Sequence, residues 1–285
     1  MTRFIRPTNR NARLLVGLLL AGLFCVQCTQ TEAFKQSNLV SFVDGKTVGT
    51  NSKAVQEDME KLARTDHVAL LEQCMARYEG RVRSYTCNLV KQERLGGRLN
   101  DEQEIAVKFL ESPFSVAMKW TRNAPIGDQI IYVEGKYNNN MLVKPKGLLG
   151  ALVGTVLRKP DGADAMKNTL RPVNLFGFKR GLHSLLEVYV LARQRGESKE
   201  SFGGHCEVAG RPALMLVRYL PNRPEYPAKR TNVYIDTEYM LPICIEGYDW
   251  DDQLACRYVY KDIQMNVALD PKDFTPSSNG MADPK

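Results

Sequence analysis

The chain contains 285 residues, of which 44% are hydrophobic and 25% are charged, and its formal net charge at pH 7 is +7. This apolar content is sufficient for a substantial core, so the composition predicts a globular domain. Part of the positive charge belongs to four N-terminal arginines, and no basic stripe interleaved with aromatic residues is present. Nucleic acid is therefore not an expected partner.

The N-terminus has the pattern of a secretory signal peptide. Four arginines, the last of them Arg13, precede an apolar run over residues 14–26, and the sequence becomes polar at Gln27. This run is too short for a spanning helix, which needs about 20 residues. The small residues Thr31 and Ala33 predict cleavage after Ala33. Residues 1–33 are therefore the predicted signal peptide, and the mature chain is expected in the periplasm or exported, without a transmembrane span.

The cysteines leave two alternatives open. A lipid anchor on Cys25 or Cys28 is disfavoured because neither follows a small residue, and five cysteines lie beyond the predicted signal. An odd number leaves at least one thiol unpaired in the monomer. Cys244 and Cys256 flank a predicted hairpin tip at residues 248–253, and export permits a disulfide between them. The alternative is that each cysteine is a small buried hydrophobic residue.

The first structured element is a helix. Residues 34–64 are interpreted as a polar tether that ends in the start of this helix, and residues 53–79 have helical spacing. Asp66 is placed to cap its second part, and Gly80 ends it. The apolar face at three-and-four spacing comprises Val68, Leu70, Leu71, Cys74, Met75 and Tyr78.

Short strands then follow in a first block. Apolar side chains occupy alternate positions in five segments, which are residues 84–95, 104–112, 114–121, 128–135 and 140–145. A period of two means that each strand buries one face, and glycine or proline residues lie between the segments. This pattern predicts an antiparallel sheet wide enough to curl.

A second block of strands follows an insertion. Residues 147–196 contain an apolar, glycine-spaced stretch, a polar loop at 161–167 and a predicted helix at 183–194. Strands are then predicted at 214–219, 231–236, 243–248 and 256–261. The main domain is expected to span residues 65–276, with a flexible tail at 277–285.

One face of the predicted sheet is the candidate ligand-binding surface. Methionine and tryptophan suit adaptable apolar binding, and a sheet of this size has more concave surface than two short helices fill. The alternative is that the same side chains form a packed core. The candidate residues are Ile105, Val107, Phe109, Val116, Met118, Trp120, Ile131, Val133, Met215, Val217 and Tyr219.

No motif of a common enzyme class is present. His67, His183 and His205 open helices or end a strand, where capping or exposure is the usual role. The chain lacks HExxH, a phosphate loop, a dinucleotide fingerprint and a GxSxG elbow. The carboxylates in residues 249–252 do not have EF-hand spacing and fit a polar turn. We therefore expect a non-catalytic protein without a metal ion or a cofactor.

Four short stretches in order carry a resemblance to a known superfamily. They are residues 84–92 after a leucine-faced helix, 112–114 followed by Trp120, 133–136, and 273–276. They resemble motifs of the bacterial LolA and LolB lipoprotein carriers, and the chain most resembles the envelope family called domain of unknown function 1571. The resemblance covers residues 65–276. It implies an α+β fold in which a curved antiparallel sheet forms an unclosed half-barrel with covering helices around a cavity for acyl chains.

The sequence departs from the carriers at the gate of this cavity. The carriers have a basic gating residue just before the proline, and the corresponding residue here is Ser112. The apolar part of the insertion is expected to act as the cover instead. Its predicted lid residues are Leu148, Leu149, Leu152 and Val153.

Two functions remain as alternatives. In the first, the half-barrel binds a lipid, an acyl chain or a lipoprotein segment by apolar burial and releases it when the lid opens. In the second, the protein is an envelope scaffold that binds another protein and has a filled core without a lipid ligand. Empty space between sheet and helices would favour the first.

Overall fold

The computed structural model describes residues 39–42, 52–125, 127–147 and 152–284. All of these described residues belong to one compact unit. Its centre is an antiparallel sheet with thirteen strands among the described residues. The strands are β1 Val40–Phe42, β2 Ser84–Leu95, β3 Arg98–Leu99, β4 Gln103–Leu110, β5 Ser115–Arg122, β6 Gly127–Val133, β7 Met141–Pro145, β8 Val156–Arg158, β9 Lys199–Val208, β10 Arg211–Tyr219, β11 Arg230–Asp236, β12 Pro242–Tyr248 and β13 Leu254–Met265.

The sheet is not closed. Its strand order is β1-β9-β10-β11-β12-β13-β2-β4-β5-β6-β7-β8, and β3 pairs with β2 beside this path. Within the described ranges, β1 and β8 are the two edges and do not pair with each other. Hairpins connect most neighbours, whereas β13 returns from the end of the chain to pair with β2 near its start. The predicted α+β fold class with an unclosed antiparallel sheet is confirmed.

Helices pack against the sheet. They are α1 Lys53–Thr65, α2 His67–Arg81, the short α3 Ala163–Met166 and α4 Phe178–Gln194. The helix predicted over residues 53–79 is broken at Asp66, whose carboxylate accepts a hydrogen bond from the Ala69 amide at 3.1 Å and so caps α2. The helix predicted from residue 183 begins at Phe178, because Phe178 and Leu182 are both buried and extend the apolar face by one turn.

The strands agree with the sequence pattern except at weakly patterned segments. Each of the nine predicted segments forms a strand, with small shifts at the ends. β1 lies within the predicted tether and pairs with β9, with Val40 opposite Val208. A strand of three residues has too little alternation to be recognised. The sequence around β9 contains Gly203 and Gly204, which obscure its period.

We call the sheet surface that carries Leu89, Ile105 and Met118 the inner face. Helices α1, α2 and α4 pack on its β9–β11 end, where Arg218 lies 4.2 Å below the ring of Tyr189. Residues 153–177 lie over its β2–β7 end. An aromatic cluster stands between these two covers, with Phe178 5.0 Å from Tyr85 between ring centroids.

His67 is part of the packed helical end. Its side chain is 2% exposed, so the expectation of capping or exposure is wrong. Nε2 donates to the Ala63 carbonyl at 2.9 Å, and Nδ1 accepts from the Tyr189 hydroxyl at 3.2 Å. Burial lowers the pKa of this ring, which favours the neutral form in which Nε2 donates and Nδ1 accepts.

The C-terminal segment packs on the opposite, outer face. Phe274 and Met281 are 2% and 6% exposed and lie against Ile131 and Leu142. The segment predicted as a flexible tail is therefore ordered at least as far as Met281. Two anchoring residues in a turn-rich segment show no periodicity, so the sequence pattern did not reveal this packing.

Candidate functional site

A cavity of about 580 Å³ lies between the inner face and the segment that covers β2–β7. Strands that are distant in sequence contribute to its floor because β13 lies next to β2. The apolar floor residues are Leu89, Ile105, Met118, Trp120, Ile130, Met141, Val143, Ile245, Tyr258 and Tyr260.

Register explains why these side chains share one wall. Ile130 pairs with Met118 on one side and with Val143 on the other. Ile105 pairs with Trp120. Directly paired residues project on the same face of an antiparallel sheet, so one continuous apolar surface results.

The cover of the cavity is largely irregular. It includes Val153, Val156 of the edge strand β8, Ala165 of α3, and the stretch from Val173 to Phe176. Short turns and prolines cannot interdigitate with the floor as a long amphipathic helix would. Space therefore remains between sheet and cover.

Trp120 contributes a ring whose polar atom is already bonded. Its indole nitrogen donates to Gln103 Oε1 at 2.8 Å, and Gln103 is 3% exposed. A buried indole N–H without a partner would favour a polar ligand at this point. Because the bond is made within the wall, the ring offers an apolar surface.

One polar cluster lies at the β2–β13 end of the floor. The Glu93 carboxylate is fully buried and accepts from the Tyr258 hydroxyl at 2.6 Å. Lys91 Nζ lies 3.0 Å from Glu93 Oε2 and donates to Thr169 Oγ1 at 2.9 Å. The Thr169 hydroxyl in turn lies 3.3 Å from Glu93 Oε1. This cluster ties the cover to the floor and balances its own charge.

The two tyrosines of the floor remain neutral at physiological pH. Burial, followed by the neighbouring Cys256 and Glu93, raises the pKa of Tyr258. Burial also raises the pKa of Tyr260, to which Cys87 adds. Both rings therefore act as hydrogen-bonding apolar groups and not as bases.

The structure unites part of the predicted ligand surface. Ile105, Met118 and Trp120 line the cavity. Val107, Phe109 and Val116 lie on the same face but within the packed core, where Phe109 stacks on Tyr85 at 4.6 Å between centroids. A ligand-binding role for these residues remains a prediction.

The assignment of the remaining predicted residues to the same face is wrong. Ile131 and Val133 pack on the outer face in the cluster that contains Phe274. The register also places Met215, Val217 and Tyr219 on the outer face, since their neighbours Leu214 and Leu216 pair with Ile235 and Val233 of the inner face. Strands β6 and β10, which carry these residues, are buried on both faces, so the alternation of apolar residues alone did not identify the face that lines the cavity.

The predicted lid is only partly within the described residues. Val153 lines the cavity, whereas Leu152 is 79% exposed and does not line it. Leu148 and Leu149 lie outside the described residues. The lid role remains a prediction, and the cover extends much further along the chain than the four predicted residues.

The Cys244–Cys256 disulfide, one of the two alternatives for these residues, is not formed. In the register Cys244 is opposite Val259 and Cys256 is opposite Gly247, so the two thiols lie on different faces. All five cysteines in the described part of the chain are free. Burial raises the pKa of Cys256 to about 11, so this thiol is protonated near neutral pH.

Several cavity residues were not anticipated from the sequence. Ile130 and Val143 lie in predicted strands, but the assignment of Ile131 reversed the faces of β6. Tyr258 and Tyr260 alternate in β13, and only the pairing of β13 with β2 brings them to the cavity. Lys91 and Glu93 are separated by one residue on β2. This spacing indicates that their side chains share a face, but it does not indicate that they form a buried pair.

The sequence matches the model of the family described as Protein of unknown function (DUF1571) over residues 82–282, and the chain belongs to this family. The resemblance drawn from the short motifs is thereby confirmed at the level of the family. No curated protein matches the sequence. Among the described residues, none of the helices has the length and apolarity needed to cross a membrane.

Solved structures that align with the chain share little sequence with it. The Pseudomonas aeruginosa MucA/MucB complex aligns at 16% identity and a TM-score of 0.43, covering 74% of this chain and 61% of that chain. A LolA superfamily protein from Nitrosomonas europaea aligns at 9% identity and a TM-score of 0.32, covering 73% of this chain and 98% of that chain. The lipoprotein LppX of Mycobacterium tuberculosis aligns at 10% identity and a TM-score of 0.36, covering 71% of this chain and 97% of that chain. The chain spans less than two thirds of the MucA/MucB match, and alignments at these TM-scores identify no ligand or partner.

Proposed function

We propose that this DUF1571 protein is a non-catalytic binding protein that holds an acyl chain, free or attached to a lipid or lipoprotein segment, in its cavity. The observation that carries the proposal is the cavity of about 580 Å³ between apolar walls. Small-molecule sites typically measure about 300–1,000 Å³ and are mostly apolar. A packed core would leave no such space.

The chemistry of the wall supports an apolar ligand. Met118 and Met141 are flexible side chains that adapt to chains of different shape. The polar atoms of Trp120 and Glu93 are bonded within the wall. Lys91, Glu93 and Thr169 line the cavity and are bonded to one another, so binding has more support than nucleophilic catalysis.

Export to the cell envelope is part of the same proposal. It is supported by the arginines and the apolar run within residues 1–33, which have the order of a secretory signal. An acyl-chain-binding protein in this compartment would shield the chain from water between membranes or report its presence.

A protein-binding scaffold is the second candidate. The exposed apolar residues of the insertion favour it, because Leu152, Leu170 and Leu175 are 79%, 43% and 46% exposed. Clusters of exposed apolar side chains mark interaction surfaces. In this alternative the partner binds the outside of the cover and the cavity has no ligand.

The two tryptophans of the chain allow a direct test. Trp120 lines the cavity, whereas Trp250 lies in a separate cluster beside Leu220 and Tyr226. Delipidated protein is titrated with dibrominated stearic acid, whose bromine atoms quench only tryptophans that they contact. The Trp250→Phe variant reports on the cavity, and the Trp120→Phe variant is the matched control.

We expect saturable quenching in the Trp250→Phe variant and almost none in the Trp120→Phe variant. Native mass spectrometry of protein purified without detergent should also show a co-purifying mass of lipid size. If neither variant is quenched, or both are quenched equally, binding in the cavity is refuted and the scaffold remains.

A further inference from the structure

The mouth of the cavity is defined by residues that line it and are exposed to solvent at the same time. Three of them are uncharged, Pro125, Val153 and Leu175, and the last two are 42% and 46% exposed. The charged members are Arg158, Lys167, Arg171 and Asp164, and all four are exposed. We call these seven residues the rim.

The rim carries an excess of positive charge. Three of its four charged side chains are cations, and Asp164 is the only anion among them. Lys167 Nζ lies 3.4 Å from the Asp164 carboxylate, so these two offset each other. Within the described part of the chain, Arg158 and Arg171 have no carboxylate at ion-pair distance. Arg158 donates to the Leu157 carbonyl, and the Arg171 guanidinium lies 5.8 Å from the Tyr258 ring centre.

The floor does not compensate this charge. Among the described residues, the only carboxylate of the floor is Glu93, which is paired with Lys91 at 3.0 Å and accepts a hydrogen bond from the Tyr258 hydroxyl. The floor is therefore neutral overall, and the two unpaired arginines give the site its net charge. Arginine presents a planar set of donors that matches carboxylate and phosphate oxygens.

From this arrangement we infer that the cavity selects an anionic amphiphile whose carboxylate or phosphate head is bound at the rim by Arg158 and Arg171. This inference rests on the proposed function, since it requires an acyl chain in the cavity. The chain occupies the apolar floor, and the head remains at the exposed mouth, where the arginines need not be desolvated completely. A zwitterionic head would bring its own cation against the rim and is disfavoured.

The test compares two lysophospholipids with the same acyl chain. In the Trp250→Phe background, lysophosphatidylglycerol and lysophosphatidylcholine compete with dibrominated stearic acid, and recovery of Trp120 fluorescence gives each affinity. We expect the anionic lipid to bind at least tenfold more tightly, and the preference to shrink as salt is raised. Inorganic phosphate at millimolar concentration, added without a lysophospholipid, should change neither the quenching of Trp120 by the brominated acid nor the melting temperature of the protein.

Two matched triple variants locate the selectivity. The first replaces Arg158, Lys167 and Arg171 with Gln. The second replaces Lys136, Lys159 and Lys199, which are exposed and do not line the cavity, and removes the same charge. The rim variant should bind the two lipids with equal affinity, whereas the control variant should keep the preference. Melting temperatures confirm that both variants are folded.

The outcomes separate the two proposals. If both lipids displace the brominated acid with equal affinity in the unmodified rim, the cavity binds acyl chains and the inference about the head is overturned. A control variant that loses the preference as fully as the rim variant also overturns it, as does displacement by inorganic phosphate. If the brominated acid does not bind in the first place, the proposed function fails, and the inference fails with it.

Discussion

Ile130 and Ile131 are adjacent residues of β6 that point into different environments, and a pair of identical substitutions at these positions tests whether the cavity exists. Ile130 lines the cavity between Met118 and Val143. Ile131 is 1% exposed and is packed in the outer-face cluster with Phe274. We consider Ile130→Phe and Ile131→Phe.

The expected difference follows from the space at each position. At Ile130 a phenylalanine ring can extend into the cavity and bury on the order of 40 Å² more apolar surface, worth roughly 1 kcal/mol at about 25 cal/mol per Å². Ile131 borders a groove on the outer face, but its side chain is 1% exposed and packs against Phe274 and Leu142, so a larger ring there overpacks this cluster at a cost of about 1–3 kcal/mol. The two variants should therefore differ by about 2–4 kcal/mol in the free energy of unfolding.

Thermal unfolding measures this difference directly. For a domain of this size, 1 kcal/mol shifts the melting temperature by about 2–4 °C, so the Ile130→Phe variant should melt several degrees above the Ile131→Phe variant. Binding of a long-chain fatty acid should weaken only in the Ile130→Phe variant. If both substitutions destabilise the protein equally, the inner face is as tightly packed as the outer face, and the cavity reasoning is refuted.

Four further predictions concern buried side chains and one strained glycine. Tyr85→Phe removes a buried hydroxyl without a hydrogen-bond partner among the described residues and should leave stability unchanged or raise it by up to about 1 kcal/mol. Tyr78→Phe loses a 2.6 Å bond to a carboxylate and should lower stability by about 1 kcal/mol; equal urea midpoints would contradict this. Gly177→Ala should lower the free energy of unfolding by about 2 kcal/mol and therefore lower the melting temperature, because Gly177 has φ 105° and ψ 159°, which alanine adopts only with strain. The control Gly181→Ala lies in a helix with free space around the added methyl group and should not lower the melting temperature. Burial lowers the pKa of His67 from 6.5, so the stability that the neutral ring contributes is complete above pH 6.5 and is lost as the pH falls below it. His67→Gln should flatten this dependence of the free energy of unfolding on pH, which unfolding experiments at about pH 7 and pH 5 measure. An unchanged slope would count against it.

The sequence pattern predicted the local elements of the fold well, because strands with one clear apolar face carry a period of two. It also placed the cap of α2 at Asp66, since a short carboxylate before an apolar helical run has one obvious use. The pattern was weaker for β1 and β9, where a strand is very short or contains paired glycines. It gave no information on the C-terminal segment, whose Phe274 and Met281 anchor without any period.

The candidate site was predicted only in part, for a reason that lies in the sheet itself. Central strands such as β6 and β10 are buried on both faces, so Ile131 and Met215 satisfy the same alternation rule as Ile105 and Met118. Only the register decides which set faces the cover. The same limit applies to Cys244 and Cys256, whose spacing fits a hairpin but whose register puts them on different faces.

The position of the cavity follows from how the covering elements are distributed. The long helices α1, α2 and α4 gather over the β9–β11 end of the sheet, where they fill the inner face with side chains such as Tyr189. The β2–β7 end is left to residues 153–177, which contain the four-residue helix α3, the edge strand β8 and a 3-10 helix of three residues at Val173–Leu175. Such a segment covers the floor without filling it, and its hold on the sheet includes the bonds of Thr169 to Lys91 and Glu93. We predict that a movement of the cover that admits a chain breaks the bonds of Thr169 and leaves the helical core intact, because α1, α2 and α4 pack on the other end of the sheet.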